Sequence, residues 1–312
     1  MKTALYTVTY NGGFYKGDAL TLDQIFPRVA EMGFEGIEIG AKRPVASPMD
    51  LTQQDRAAIR QLSAQFDLPI GCIGSYSNLA SPVLEAREAQ LLFLRETIRL
   101  AHDLESPAVR VFAAWPGVTM RNGQTYYEVA KSRVWRGSEG VTWFEQWTWV
   151  REALVEASQW AADLGVTLAL QNHIPVTNSY SDVLEFIKEV NSPGLKACID
   201  APHLADQSDA GVRAALLETG SQQIWSHFGG FQETADGRVI EHTGEGEIAV
   251  NYPAFFRALH EINYTGFIAY EGCGPALVNH QYHGIEEVER RVRLALAYMQ
   301  RQIAAAKKEV QK

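Results

Sequence analysis

Short apolar runs alternate with longer segments of helical periodicity along the whole chain. The apolar runs have the length and residue types of buried strands and predict eight of them, Ala4–Tyr10, Gly36–Ile39, Pro69–Ile73, Ala108–Phe112, Val166–Leu170, Leu195–Ile199, Ile224–His227 and Gly266–Tyr270. Helices are predicted after each of them, near residues 21–32, 52–66, 83–105, 143–164, 179–190, 209–219, 252–262 and 284–307. Such a series of strand–helix units favours a closed parallel (β/α)8 barrel of the α/β class, as a single domain over residues 1–312.

An open doubly wound sheet is the structural alternative to this barrel. Such a sheet normally carries a glycine-rich phosphate-binding turn after its first strand, and Asn11-Gly12-Gly13-Phe14 does not match that turn. We therefore predict the barrel, in which functional groups lie on the loops at the carboxyl ends of the strands.

The connection after the fourth strand, residues 113–142, is unusually long. Loops of this length in compact domains are typical of a lid or of an oligomer contact, and Tyr126, Tyr127 and Trp135 suit either role. A surface excursion packed by its own aromatic residues has equal weight. If the segment is a contact, it joins copies of this chain or a different subunit.

Composition and charge narrow the class of protein. Of 312 residues, 46% are apolar, which is ample for a large core, and the net charge of −9 without runs of like charge argues against nucleic-acid binding. The polar–apolar alternation of residues 1–8 indicates a first strand rather than a signal peptide, and no segment resembles a membrane span. Cys72, Cys198 and Cys273 form no CxxC pair, so we expect reduced cysteines and a cytoplasmic protein.

Polar side chains stand at the ends of the last four predicted strands. In chain order they are Gln171, Asn172 and His173, then Asp200, then His227, and finally Glu271. Each has an ordinary structural explanation, such as a helix cap for Asp200 or half of an ion pair for Glu271. In a barrel, however, these ends converge on one mouth. Two carboxylates, an imidazole and an amide oxygen there suit a divalent ion, Mn²⁺ above all, with Co²⁺, Mg²⁺ and Zn²⁺ as alternatives.

Several short segments carry a resemblance to a known family. They are GFEGIEI at strand two, QNH at strand five, IDAPH at strand six, the histidine of strand seven, GEGEI at 244–248 and NYTGFIAYE at strand eight. In this order and spacing the whole chain resembles the xylose-isomerase-like TIM barrels. These include sugar phosphate isomerases/epimerases, ketose 3-epimerases, inosose dehydratase and keto-glycoside lyases.

The resemblance implies roles for individual residues. It places metal ligands at Gln171, Asp200, His227 and Glu271. It also places a substrate contact at His203 and makes Glu271 the second of the family's two acid/base carboxylates. GEGEI resembles a stretch that packs beneath the site, although a glycine turn without direct contacts explains it equally well.

Two departures from the family pattern bear on the chemistry. The commoner residue at position 171 is glutamate; the glutamine carbonyl still coordinates a hard metal but cannot exchange a proton near neutral pH. The aspartate often found after the strand-seven histidine is also absent, because Phe228-Gly229-Gly230-Phe231 stands there.

The predicted chemistry is proton abstraction next to a metal-bound carbonyl of a sugar, giving an enediolate that the ion stabilises. If strand five continues, His173 points to the same side as Gln171 and is the favoured base, with Glu271 as ligand and proton carrier. A merely hydrogen-bonding role for His173 stays open. Reprotonation gives isomerisation or epimerisation. Elimination from the same enolate, as in a dehydratase or a 3-keto-glycoside lyase (deglycosidase), is the alternative that the missing glutamate favours.

Other residues are expected to shape the pocket. Trp115 is expected to stack on a sugar, and Asn172 is expected to contact the substrate. Lys42 and Arg43 could bind an anion, but a pair of solvent-exposed loop residues is the favoured interpretation. Glu38 would face the barrel interior and need Arg110 as its partner.

Two further classes of protein are alternatives to the enzyme. A nuclease like endonuclease IV is disfavoured by the acidic charge. A non-catalytic sugar-binding subunit would differ from the enzyme in lacking a stoichiometric ion.

Overall fold

The chain folds into a closed barrel of eight parallel strands, with a helix after each strand. The structure, a computed structural model, describes residues 1–128, 140–233, 239–244 and 249–309. The barrel strands are β1 Lys2–Tyr6, β2 Gly36–Gly40, β3 Ile70–Gly74, β4 Ala108–Val111, β5 Thr167–Gln171, β6 Leu195–Cys198, β7 Gln223–Gly229 and β8 Phe267–Glu271. The helices are α1 Leu22–Met32, α2 Gln53–Gln65, α3 Leu84–Asp103, α4 Trp143–Asp163, α5 Tyr180–Val190, α6 Asp209–Thr219, α7 Tyr252–Glu261 and α8 Ile285–Glu309. This architecture confirms the predicted α/β barrel.

Each strand pairs in parallel with its neighbours in the chain, and β1 closes the barrel against β8. The closing register joins Lys2 to Phe267 and Leu5 to Tyr270. Because all eight strands run the same way, their carboxyl ends form one mouth, as predicted.

Six of the strands agree with the prediction to within one residue at each end, and two, β1 and β7, differ by more. β1 ends at Tyr6, and the predicted remainder, Thr7–Tyr10, is a 3-10 turn. The hydroxyl of Thr7 accepts the backbone N–H of Gly40 at 2.9 Å, so a side chain replaces the strand ladder there. β7 continues to Gly229, which places His227 inside the strand and not at its end.

The barrel interior combines small residues with a few large aromatic rings, of which Trp225 is the largest. The small members are Ala4, Cys72, Ala108, Ala169, Cys198 and Ala269. Trp225 lies among them, and a Cβ at Gly71 would approach its ring to 2.8 Å. The larger core lies between the strands and the helices. The indole of Trp225 thus forms a floor beneath the mouth.

Capping boxes begin four of the helices. The first of these, which opens α1, uses Thr21 and Gln24, and those of α2, α4 and α5 begin with Thr52, Thr142 and Ser179. In each, the hydroxyl accepts a backbone N–H of the first turn, and the side chain three residues later accepts the N–H of the cap residue. These local signals explain why the helix starts were predictable.

The loops after β4, β7 and β8 carry small antiparallel hairpins at the mouth. The first, Thr119–Arg121 with Gln124–Tyr126, belongs to the long 113–142 connection. It reaches across the mouth, because Thr125 N–H donates to Gly13 at 2.7 Å and Tyr127 donates its hydroxyl to the Cys273 carbonyl at 3.1 Å. Trp135 and residues 245–248 of the GEGEI segment lie outside the described residues. No helix within the described ranges has the length and apolar composition needed to cross a bilayer.

A cluster on α8 fixes the loop after β8. Arg291 donates to the carbonyls of Pro275 and Leu277, the latter at 2.8 Å, and Glu287 accepts from Arg291 at 2.8 Å. Hydrogen bonds from Arg290, followed by those from Arg291, outweigh burial and lower the pKa of Glu287 to about 2.

Glu287→Gln is expected to lower the free energy of unfolding by about 1 kcal/mol near pH 7. A lowered carboxyl pKa contributes stability above the ordinary pKa, and this contribution is lost as the pH falls towards 2. The variant should therefore lose part of the wild-type acid dependence, measured by urea unfolding between pH 7 and pH 3. Glu286→Gln removes an equal charge from the exposed side of the same turn and should keep the wild-type dependence. Parallel curves for wild type and Glu287→Gln would contradict the assignment.

Candidate active site

A cavity of about 400 Å³ opens at the carboxyl ends of the barrel strands. Seven of the residues expected at the site line it, namely Trp115, Gln171, His173, Asp200, His203, His227 and Glu271. The closed barrel therefore brings together side chains that the chain separates by as many as 156 positions, from Trp115 to Glu271. Asn172, the eighth expected residue, is not among the residues that line the cavity.

Asp200 is the hub of the polar cluster. Its Oδ2 accepts a hydrogen bond from Gln171 Nε2 and lies 2.9 Å from His227 Nδ1, and its Oδ1 accepts the backbone N–H of His227 at 2.7 Å. Burial by itself would raise the pKa of Asp200, but the imidazole of His227 outweighs it and lowers the pKa to about 2. Asp200 therefore stays ionised and joins β5 to β7.

His227 lies between two carboxylates. Besides the contact of Nδ1 with Asp200, its Nε2 lies 2.8 Å from Oε2 of Glu38. Burial would lower the pKa of His227, yet Asp200 and Glu38 together raise it well above the usual value. Deprotonation at Nδ1 would free that atom as a ligand while Nε2–H continued to donate to Glu38, an arrangement common around metal-binding histidines.

Glu38 faces the barrel interior and pairs with Arg110, as predicted from the sequence. Arg110 Nη2 lies 3.3 Å from Glu38 Oε1, and Trp225 Nε1 donates to Oε2 at 2.8 Å. Burial opposes ionisation of Glu38, but His227, then Arg110, outweigh it and lower its pKa. The sequence did not indicate the bond between Glu38 and His227, because the two residues are 189 positions apart.

The side chain of Gln171 leaves one atom unsatisfied. Its Nε2 donates to Asp200, but Oε1 is buried and accepts no hydrogen bond from any described residue. A buried acceptor without a donor costs about 1–3 kcal/mol, so such an atom indicates a missing partner. A carbonyl oxygen beside a carboxylate and an imidazole is a suitable donor for a hard divalent cation. The residues present thus fit the metal ion that the fold family implies.

Glu271 ends β8 and lines the same cavity. Burial raises the pKa of Glu271, although His227 and Arg110 oppose the shift. Within the described part of the chain its carboxylate takes part in no hydrogen bond or ion pair. A nearby cation would offset the burial and favour the charged form.

Cys198 is a member of the cluster that the sequence analysis missed. Its Sγ lies 3.7 Å from Asp200 Oδ1 and 3.9 Å from His227 Nδ1. The signal was present, because residues two apart in a strand face the same side. Burial, then the charge of Asp200, raise the pKa of the Cys198 thiol to about 12. The ligand atoms of Cys198, Asp200 and His227 all lie within 4.8 Å of one another, close enough for one metal ion to contact all three.

His173 faces the cavity although the strand does not continue to it. β5 ends at Gln171, and the chain then turns, so the premise of the prediction was wrong. The ring nevertheless lies 4.7 to 5.2 Å, centroid to centroid, from Phe112, Trp115 and His203. Its Nδ1 donates to the Ile174 carbonyl at 2.6 Å, which leaves Nε2 as an acceptor. Burial, assisted by His203, lowers the pKa of His173 to about 3, so the ring is neutral.

Asn172 does not contact the cavity, which corrects the expected substrate contact. Its Oδ1 accepts the backbone N–H of Asp200 at 2.8 Å, and its Nδ2 donates to the Asp200 carbonyl at 3.3 Å. Neighbouring positions on an extended chain face opposite sides, so Asn172 points away while Gln171 points inward. The side chain holds the backbone that carries Asp200.

The side chains of Lys42 and Arg43 point in different directions. Arg43 is exposed and forms an ion pair with Asp50, as expected for a solvated loop. Lys42 instead lines the cavity, with its ammonium 4.3 Å from the centroid of the Tyr76 ring. The solvated interpretation was thus right for Arg43 and wrong for Lys42.

Solved sugar epimerases share this architecture. The chain is similar to a D-psicose 3-epimerase from Clostridium cellulolyticum H10, determined with D-tagatose, with a TM-score of 0.70 and 16% identity over 97% of this chain and 99% of that one. An L-ribulose 3-epimerase matches with a TM-score of 0.69 and 19% identity, over 99% and 97% of the two chains. The 3-keto-D-glucoside 4-epimerase YcjR from E. coli, in its apo form, matches at 0.67 and 16%, over 95% and 99%. At such identities the likeness establishes the fold.

Sequence comparison defines the family. No curated protein sequence matches the chain. The family model described as "Xylose isomerase-like TIM barrel" matches residues 26–302, which is most of the chain, and this confirms the resemblance noted in the sequence. Together with the closed eight-stranded barrel, the match shows that the chain belongs to the family of xylose isomerase-like TIM barrels.

Proposed function

We propose that the protein is a divalent-metal-dependent enzyme that removes a proton next to the carbonyl of a keto-sugar or sugar derivative, giving isomerisation or epimerisation. The observation that carries the proposal is the buried Gln171 oxygen without a partner, beside Asp200 and His227. The names of the similar structures, two ketose 3-epimerases and a keto-glucoside 4-epimerase, support the substrate class.

Four side chains would hold the ion, Gln171, Asp200, His227 and Glu271, all of which line the cavity. Bound there, Mn²⁺, or alternatively Co²⁺, Mg²⁺ or Zn²⁺, would supply a Lewis acid that polarises the sugar carbonyl. The protein's own contribution is to hold the donors in place, through the bonds of Asp200 to Gln171 and His227 and of Glu38 to His227.

Two groups are proposed to carry protons. His173 presents an unprotonated Nε2 to the cavity, because its Nδ1 is engaged with Ile174. Glu271 ends β8, three strands away from the end of β5 around the barrel, so the two groups approach a sugar from different sides. One proton carrier on each side is what epimerisation requires, because the proton leaves one face of the carbon and returns to the other.

His203 and Trp115 are proposed to bind the sugar. Both lie in edge contact with the His173 ring, at 4.7 and 5.2 Å between centroids, and Trp115 also stacks on Phe112. An aromatic face next to hydrogen-bonding groups suits the apolar face of a pyranose or furanose ring.

Elimination is the second candidate, and the amide at position 171 favours it. Gln171 cannot exchange a proton. His173, with a pKa of about 3, holds a proton only weakly. With a single effective proton carrier, loss of a β-substituent becomes the natural outcome, as in a dehydratase or a 3-keto-glycoside lyase. That candidate includes a heteromeric enzyme assembled through residues 113–142.

Incubation of the Mn²⁺-loaded protein in D₂O with ketoses and 3-keto-glycosides separates these outcomes. Deuterium at the carbon next to the carbonyl, without loss of a group, would support epimerisation. Release of water or an aglycone would support elimination. A protein that exchanges with no substrate and purifies without stoichiometric ion would match a non-catalytic sugar-binding subunit instead.

Gln171→Glu is expected to retain stoichiometric Mn²⁺ and bind it about tenfold more tightly, since a carboxylate replaces a neutral carbonyl. The new carboxylate can also exchange a proton, so deuterium uptake by a ketose substrate should rise. Calorimetric titration with Mn²⁺ and NMR of the sugar measure the two effects. Gln61→Glu adds the same charge on the exposed surface of α2 and should change neither. Loss of the ion from Gln171→Glu would show that position 171 is not a ligand.

A further inference from the structure

Lys42 occupies an unusual position for a lysine. It follows β2 by two residues, is half-buried, and lines the cavity. Its ammonium lies over the ring of Tyr76, at 4.3 Å from the centroid. Among the residues that the structure describes, no carboxylate and no hydrogen-bond acceptor reaches this ammonium. Burial, and then the positive charge of Arg110, lower the pKa of Lys42, which is the direction expected for a cation without a counter-ion.

The two neighbouring arginines already have carboxylate partners of their own. Arg110 is engaged with Glu38, through two nitrogens at 3.3 Å, inside the barrel. On the other side along the chain, Arg43 points to the surface and is paired with Asp50. Among the described residues, neither neighbouring arginine thus provides a counter-ion for Lys42, and its side chain faces the cavity.

A hydroxyl lies at the same wall of the cavity. The hydroxyl groups of Tyr6 and Tyr76 are 2.5 Å apart, and both residues line the cavity. Two hydroxyl groups that share one hydrogen bond use one of their two protons, so the other proton remains available to an acceptor. An ammonium and a phenol donor together form the kind of charge-assisted pair that holds a carboxylate.

The position of Lys42 in the barrel defines which part of a substrate it would meet. In the strand order β2 lies opposite β6, and Asp200 follows β6 by the same two residues that separate Lys42 from β2. A sugar with its carbonyl near Asp200 would therefore extend towards Lys42.

We propose that Lys42, with the Tyr6–Tyr76 hydroxyl pair, forms an anion-binding subsite and that the substrate is a keto-sugar carrying a carboxylate, an inference that rests on the proposed function. One ammonium matches the single charge of a carboxylate. Phosphate sites usually add arginine forks or a helix N-terminus, and Arg110, the single arginine among the described residues that line this cavity, is engaged with Glu38.

Three related probes test the subsite on the Mn²⁺-loaded protein by calorimetric titration. D-Fructose, D-fructuronate and D-fructose 6-phosphate share one ketose skeleton and differ at C6, as hydroxymethyl, carboxylate and phosphate. We expect D-fructuronate to bind at least about tenfold more tightly than D-fructose, since a charge-assisted hydrogen bond is added. Equal binding of these two sugars, or a preference for the phosphate, would overturn the proposal.

Variants assign the preference to Lys42. Lys42→Met is expected to bring the ratio of the two dissociation constants close to one, Lys42→Gln serves if the methionine variant does not fold, and Lys42→Arg should keep most of the preference. Arg43→Met removes a positive charge one residue away and should keep the wild-type ratio, because Arg43 is exposed. A preference that survives in Lys42→Met and Lys42→Gln would overturn the assignment.

The proposed function and the subsite fail differently in this experiment. D-Fructose that binds and exchanges deuterium, without preference for D-fructuronate, would leave the proposed function intact and remove the subsite. If neither sugar bound or exchanged, the subsite would be refuted together with the ketose chemistry on which it rests.

Discussion

Asp200→Asn is expected to reduce the affinity for Mn²⁺ by about 100-fold or more and to abolish deuterium exchange with every ketose. The carboxylate of Asp200 accepts from the Gln171 amide and from the His227 backbone, and faces the His227 ring. An asparagine keeps the shape but loses the charge, and its NH₂ group cannot accept a hydrogen bond. Calorimetric titration with Mn²⁺, together with the metal content of the purified variant, measures the loss.

Asp67→Asn is the matched control for this variant. Asp67 is exposed and precedes β3, at the amino end of the barrel, and its backbone has φ +47°, a conformation that asparagine tolerates well. This variant should bind Mn²⁺ and exchange deuterium like the wild type. Stoichiometric Mn²⁺ in Asp200→Asn would place the ion elsewhere and would remove the basis of the proposed function.

Glu38→Gln is expected to lower the free energy of unfolding by about 3–5 kcal/mol, because it leaves the buried guanidinium of Arg110 without a counter-charge. Glu38 and Arg110 are both almost completely buried, with side-chain exposures of 0% and 1%, so water cannot replace the lost partner. Urea unfolding measures the change. The same variant should bind Mn²⁺ about 10–100-fold more weakly, because Glu38 Oε2 orients the His227 ring.

A surface ion pair provides the comparison. Glu261 accepts from Arg213 at 2.7 Å, closer than Glu38 lies to Arg110, but both side chains are partly exposed. Glu261→Gln should therefore change the free energy of unfolding by less than about 1 kcal/mol, because water screens the pair. An equally small change for Glu38→Gln would show that the interior pair adds nothing to stability.

The positions of the strands and helices could be predicted because their signals are local. The predicted β8, Gly266–Tyr270, differs from the observed Phe267–Glu271 by one residue at each end, and α5 was predicted at 179–190 against an observed Tyr180–Val190. The largest difference was at Thr7–Tyr10, where the hydroxyl of Thr7 accepts a hydrogen bond from the backbone of Gly40, 33 positions away. Such a contact leaves no trace in the periodicity of residues 7–10.

The convergence of the site residues followed from the topology, but their individual contacts did not. Eight parallel strands necessarily bring their carboxyl ends to one mouth, and Gln171, Asp200 and Glu271 were recognised on that basis. Asn172 was misassigned because neighbouring positions on an extended chain face opposite sides, so its side chain points to the Asp200 backbone while Gln171 faces the mouth. Cys198 was overlooked, although its spacing of two from Asp200 indicated the same side.

The sequence by itself determined the class of fold, the family and the group of polar residues around the mouth, because backbone periodicity and short motifs are properties of neighbouring residues. Only the tertiary structure decided that Glu38 binds His227, that the Gln171 oxygen is buried without a partner, and that Lys42 turns inward while Arg43 turns outward. These features depend on closure of the barrel, which brings Glu38 and His227, 189 positions apart, within hydrogen-bonding distance and removes water from between them.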